Sequence, residues 1–171
     1  NKFLDGQTPE NEFIGFRLKQ GVYGQRQADV QMIRVKLPFG GVTPDQMDSF
    51  AEAVEQWAPL NKGHITTRQN FQFHHMPLRD AAKFIRMISD AGLSSREGCG
   101  NTVRNVTADP WSGVCEETFD PTEYVGAYVR YFVRHPTTQL MPRKVKTAFT
   151  GDAAQVISGG YTLYVDGVAL E

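Results

Sequence analysis

Residues 30–37 (VQMIRVKL) change character at every step: Ile33, Val35 and Leu37 fall on one side, Met32, Arg34 and Lys36 on the other. A period of two is that of a strand with two unlike faces, and Pro38, Gly40 and Gly41 end it. The stretch that follows has the period of a helix. Thr43 is a candidate N-cap, Pro44 suits the first helical position and Gln46 completes a capping box. Met47, Phe50, Ala51 and Val54 then make one apolar stripe. A strand with one apolar face next to an amphipathic helix restricts the chain to folds that layer helices on a sheet.

The pattern then continues in kind. Two short strands are expected at 64–68 and 70–75, and a helix over 78–91 with Ala81, Phe84, Ile85 and Ile88 inward and Gly92 as its C-terminal cap. A last strand at 102–107 would complete the order of a ferredoxin-like sandwich. The fold class read from this is α+β, a ferredoxin-like half-domain over 29–98 followed from 99 to 171 by the start of a mixed α/β lobe. Residues 1–28, polar and with Gly6, Gly15, Gly21 and Gly24, read as an extended N-terminal arm. Asp120, Pro121 and Glu123 form a second capping-box pattern, opening a helix to about 134. Residues 143–149 (RKVKTAF) read as a strand and 161–165 as a weaker one.

Composition narrows the function classes. Eighteen Lys and Arg against nineteen Asp and Glu leave a formal charge of −1, so the chain as a whole is no polycation built to coat nucleic acid. No apolar run approaches the roughly 20 residues that cross a bilayer, and no signal peptide opens the sequence. Two cysteines, Cys99 and Cys115, are too few for a disulfide scaffold and suit a reducing cytoplasm or organelle interior. The first residue is Asn1, which reads as a processed chain or a piece of one.

Strand parity also locates the chemistry. Side chains at i and i+2 share a face, so Arg34 and Lys36 point together, as do Lys144 and Lys146. Thr66, Arg68 and Gln72 share a parity if their strand runs unbroken. Cationic faces from separate strands, if they converge, make a pocket for an anion; taken alone, such alternation is equally what a solvated face shows. Phe71 and Phe73 have the parity of core residues. Adjacent His74 and His75 face opposite ways, and His64 and His135 are isolated, so no histidine metal site is expected. No CxxC, GxGxxG, P-loop, GxSxG or HExxH pattern occurs. The residues by themselves describe an anion-binding α+β domain.

Four segments add a resemblance: MIRVKLPFGGVT (32–43), HITTRQNFQFHH (64–75), NTVRNVTADP (101–110) and MPRKVKTAFTG (141–151). In this order and spacing the chain resembles the N-terminal half of the siroheme-dependent sulfite and nitrite reductases over about residues 13–151. The resemblance implies a six-electron reduction of sulfite to sulfide, or of nitrite to ammonia, at a siroheme coupled to a 4Fe-4S cluster. It implies that Arg34, Arg104, Lys144 and Lys146 surround the anion, and that Thr66, Arg68 and Gln72, with Thr67 and Asn101 more weakly, bind the siroheme carboxylates. The cluster's ligands are not in this chain: four cysteines in paired motifs are needed, and neither Cys99 nor Cys115 belongs to one. The implied partners are sulfite or nitrite, a ferredoxin or flavoprotein donor and the C-terminal half of the same enzyme, without nucleic acid or membrane, in the cytoplasm or a plastid stroma. A ferredoxin-like module holding RNA through Phe71 and Phe73, and a truncated non-catalytic half, are the alternatives.

Overall fold

The computed structural model describes residues 2–114 and 119–151. Cys115 and the strand expected at 161–165 lie outside the described residues. The first layer is a four-stranded antiparallel sheet in the order β1-β2-β4-β3, formed by β1 (Val22–Gly24), β2 (Val30–Val35), β3 (His64–Ile65) and β4 (Phe71–Pro77). Helices α2 (Pro44–Trp57) and α3 (Leu78–Asp90) cover one face. Ile33, Val35 and Phe73 from the sheet, Phe50 and Ala53 from α2, and Phe84 and Ile88 from α3 are buried between the layers. Burying a side chain of this size contributes about 1.5–3 kcal/mol. Phe73 tilts 5.5 Å from Phe50 and meets Phe84 edge-on at 4.8 Å, so the three rings lock both helices to the sheet.

The capping box at the start of α2 forms as expected: Thr43 Oγ1 accepts from Gln46 N at 3.3 Å, and Gln46 Oε1 accepts from Thr43 N at 3.0 Å. Its stripe is rotated from the expected one. Phe50, Ala53, Val54 and Trp57 face the core, whereas Met47 and Ala51 are exposed. Both sets fit a period of 3.6; the crossing of α2 over the sheet decides between them.

Three sequence expectations change. The arm at 1–28 is not extended: it holds helix α1 (Glu10–Lys19) and strand β1. None of the α1 residues is buried, so no apolar stripe announced it; its acidic first turn and basic last turn suit the helix dipole. Residues 102–107 do not close the sheet, because β1 already occupies the edge beside β2. After α3 the chain only touches that edge, where Lys36 N donates to Ser94 O at 2.8 Å. Gly21 allows this approach: its φ is +78°, and a Cβ there would overlap the Ser95 carbonyl. Finally, the two strands expected within 64–75 form a hairpin, so the shared parity of Thr66, Arg68 and Gln72, which required an unbroken strand, does not hold. Thr66 N donates to Asn70 O and Gln69 N to Thr66 O, so Thr66, Thr67 and Arg68 lie in its turn.

Residues 99 onward build a second, smaller core. Strands β5 (Thr107–Ala108) and β6 (Ala148–Phe149) pair in parallel, extended by a bridge between Val103 and Val145. Helix α4 (Thr122–Phe132) packs Val125 against Val103, Val106 and Ala108. The capping box expected at its start does not form: Pro121 is the N-cap, without a side-chain cap hydrogen bond, and Asp120 Oδ1 instead accepts from Thr122 N at 3.0 Å. No helix among the described residues is long and apolar enough to cross a membrane.

Candidate functional site

The site lies on the sheet face opposite α2 and α3. Ile33, Val35 and Phe73 point into the core, so Arg34, Gln72 and His74 take the other face, with Arg34 and Gln72 opposite one another in the β2–β4 register. With its carboxamide oxygen turned to the guanidinium, Gln72 accepts from Nε and a terminal nitrogen of Arg34 at 3.3 and 3.1 Å. The other terminal nitrogen of Arg34 donates to Gly98 O at 2.9 Å and sits 3.7 Å from Cys99 Sγ. The guanidinium is thereby fixed between the sheet and the loop that leads to Arg104.

Arg104, Lys144 and Lys146 are brought together by the parallel pairing. Val103 opposes Val145, so the residues one step away, Arg104, Lys144 and Lys146, share the opposite face of that ladder. Arg104 N donates to Val145 O at 2.9 Å and Val145 N to Thr102 O at 3.2 Å, which fixes the register. Arg104 is half-buried, while Lys144 and Lys146 are exposed.

Arg68 reaches the same place from the hairpin turn. Its Nε and one terminal nitrogen donate to Asn105 O at 3.3 and 2.9 Å, and the same terminal nitrogen donates to Thr147 O at 2.8 Å. It ties the turn to both strands of the second core. Thr66 Oγ1 donates to Asn70 Oδ1 at 2.6 Å and accepts from Arg68 N at 3.2 Å, shaping the turn. Thr67 is exposed at its tip. Asn101 is also exposed and spans two segments, its Nδ2 donating to Pro142 O at 3.2 Å.

The electrostatics show that these cations share one region. Burial, then Arg34 and Arg68, hold the Arg104 guanidinium below its ordinary pKa. The Lys146 ammonium is likewise lowered, by desolvation first and then by Lys144, Arg68, Arg104 and Arg34. Like charges favour loss of a proton, and a bound anion would relieve their repulsion. Desolvation by burial, and after it the charge interactions with His64, His75 and Arg34, also lower the His74 pKa. A cavity of about 790 Å³ between the N-terminal segment and α3 is lined by none of these five cations.

Four further residues belong to the site's construction. His74 has the parity of Gln72, a signal open to sequence reading. Asn105, buried beside Arg104, donates from Nδ2 to the carbonyls of Leu37, Arg68 and Gln69 at 2.7, 2.8 and 3.0 Å. Gln69 imitates a strand, donating to Ala108 O at 2.7 Å and accepting from Ala108 N at 2.9 Å. Glu97, fully buried, accepts from Arg134 N at 2.9 Å and from Gln139 Nε2. Nothing in local spacing marks Asn105, Gln69 or Glu97, because their partners lie tens of residues away. Among the described residues no group of three His, Cys, Asp or Glu side chains is placed to hold a metal ion.

Comparison with known proteins finds two family descriptions along the chain. The family description "Nitrite/Sulfite reductase ferredoxin-like half domain" matches residues 23–91, and "Nitrite and sulphite reductase 4Fe-4S domain" matches 99–159. A sulfite reductase [ferredoxin] of Mycobacterium tuberculosis is 29% identical over 126 residues, 73% of this chain and 22% of that protein. A ferredoxin–nitrite reductase of Leptolyngbya laminosa is 30% identical over 125 residues, 70% of this chain and 24% of that protein. The chain thus spans about a quarter of the length of the curated relatives it matches. The solved structure of the Mycobacterium tuberculosis NirA protein shares the fold, with a TM-score of 0.77 and 24% identity over 86% of this chain and 30% of that one.

Proposed function

Because the chain belongs to the nitrite and sulfite reductase family, we propose that it provides the anion-receiving face of an enzyme that reduces sulfite or nitrite. The observation that supports this reading is the convergence of Arg34, Arg68, Arg104, Lys144 and Lys146 from four separate segments into mutual electrostatic reach. Five cations held together in this way are costly without an anion among them. The matched stretches support a division into a half-domain over 29–98 and a catalytic lobe that starts at 99, with the cluster's cysteine ligands outside this chain.

The donor set fits a siroheme, whose carboxylates need hydrogen-bond donors around a flat macrocycle. Arg68, Gln72 and His74 supply guanidinium, amide and imidazole groups from one hairpin, whose turn the Thr66 hydroxyl shapes by donating to Asn70, while Thr67 and Asn101 are exposed. Siroheme coupled to a 4Fe-4S cluster would supply the electrons, six for each anion. Arg34 and Arg104 hold the oxyanion in place with their planar guanidinium donors. Lys144 and Lys146 deliver protons from Nζ to the oxygens that leave as water; the Lys146 ammonium, its pKa lowered by desolvation and then by neighbouring cations, suits that task. Ferredoxin fits as the donor because the curated relatives carry it in their names; a flavoprotein is the other donor class.

The RNA-binding alternative needs Phe71 and Phe73 to be free for stacking. Phe73 is fully buried and Phe71 packs on Phe50 at 4.5 Å, so both serve the core. Loading the intact protein with siroheme tests the proposal. A Soret band that shifts on addition of sulfite or nitrite is the expected result. A colourless protein that binds RNA in a salt-dependent manner would replace this reading with the alternative.

A further inference from the structure

Beneath the five cations lies a sixth that does not face the anion. Lys36, just past the end of β2, follows Arg34 by two residues, yet it is buried. Its Nζ donates to Val103 O at 3.0 Å and stands 3.9 Å from Glu97 Oε2. Val103 is joined through the parallel bridge to Val145, which lies between Lys144 and Lys146, and Arg104 is the next residue along.

Glu97 is just as deliberately placed. Its φ is +59°, its N–H donates to Lys19 O at 2.8 Å, and its carbonyl accepts from Thr102 Oγ1 at 3.1 Å. Its carboxylate takes the Arg134 amide beyond α4 as well as Gln139. Glu97 therefore gathers the end of α1 and the loop carrying Arg104 through its backbone, and the segment after α4 and the Lys36 ammonium through its carboxylate. An apolar pair of equal volume would pack as stably or better, so stability alone does not explain a buried ion pair at this junction.

We infer that Lys36 and Glu97 form a buried positioning pair that sets Arg104, Lys144 and Lys146 against Arg34 and so fixes the spacing of the cations that receive the anion. The role of those cations rests on the function proposed above; the geometric role of the pair does not.

The test uses the intact protein as Lys36→Met, Lys36→Arg and the double variant Lys36→Met with Glu97→Gln. The double variant leaves no buried charge without its partner and is the one expected to fold in any case. Two quantities are read: exchange of the Arg104 amide proton and affinity for inorganic phosphate. Losing the donor to Val103 O should speed Arg104 exchange about ten-fold in Lys36→Met and in the double variant, and weaken phosphate binding by about the same factor. Lys36→Arg, which keeps a charged donor, should recover most of both. A folded double variant with parental exchange and parental phosphate affinity overturns the inference. If exchange responds as expected but the parent binds no phosphate, the positioning pair stands and the anion-receiving function falls.

Discussion

Arg68 and Asn105 bond to each other in both directions: the guanidinium donates to the Asn105 carbonyl at 2.9 Å, and Asn105 Nδ2 donates to the Arg68 carbonyl at 2.8 Å. The hairpin turn of the first sheet and the loop that carries Arg104 are thus one rigid piece. Asn105 also serves the carbonyls of Leu37 and Gln69. Asn105→Asp, nearly identical in shape, cannot donate and would set a carboxylate against three carbonyl oxygens. Urea denaturation should show a loss of about 2–4 kcal/mol. An Asp variant as stable as the parent would remove Asn105 from this role.

Arg104 and Arg68 should fail differently when replaced. Arg104→Ala removes a cation while its backbone hydrogen bond to Val145 persists, so siroheme content should stay near the parental level while kcat/KM falls by about 100-fold. Arg68→Ala should lower siroheme content itself, because the turn loses its ties to Asn105 and Thr147. Pigment absorbance and steady-state rates, measured on the same preparations, separate the two. Equal pigment loss in both variants would contradict the division of roles.

Lys144 depresses the Lys146 ammonium through like charge, second only to desolvation. Lys144→Met should therefore raise the pKa of Lys146 toward its ordinary value and move the alkaline limb of the pH–rate profile upward. A limb that stays in place in that variant means that Lys146 is not the proton source.

Lys36 makes stability depend on pH. Burial outweighs the attraction of Glu97 and lowers the Lys36 pKa from 10.5 to about 8. Between those values the unfolded chain holds a proton that the folded one has released, so stability rises with pH across this window. The full span is about 3 kcal/mol. Below pH 8 both states are protonated and this group adds no slope. Chemical denaturation at pH 7.5 and pH 10 should show the rise in the parent and lose it in Lys36→Met; an equal rise in both would assign it to other groups.

Thr43→Ala provides a control remote from the site. Removing the N-cap hydroxyl of α2 should cost about 1 kcal/mol and leave phosphate affinity untouched. A change in that affinity would mean that α2 communicates with the cations.

The strand–helix–strand–strand–helix order, the N-cap of α2 and the core parity of Ile33, Val35, Phe73, Phe84 and Ile88 were all legible in the sequence. Each depends on neighbours within one turn or one strand, where period and capping chemistry act directly. The four segments of the resemblance also carried Arg34, Arg68, Arg104, Lys144 and Lys146. Helix α1 was hidden because it buries nothing, and the closing strand was misplaced because β1 had already taken that sheet edge. The turn inside 64–75 is likewise fixed from outside the segment, by Asn105 and Ala108 bonding Gln69.

The amino-acid order alone settled which faces are apolar and which carry charge, since alternation and helical period are properties of the local backbone. Only the tertiary structure decided that Lys36 turns inward to Glu97 while Arg34, two residues earlier, stays with the other cations. Both readings satisfy the same period of two. They are separated by a carboxylate 61 positions further along the chain, and no local pattern encodes a contact whose two ends meet only after the loop has closed.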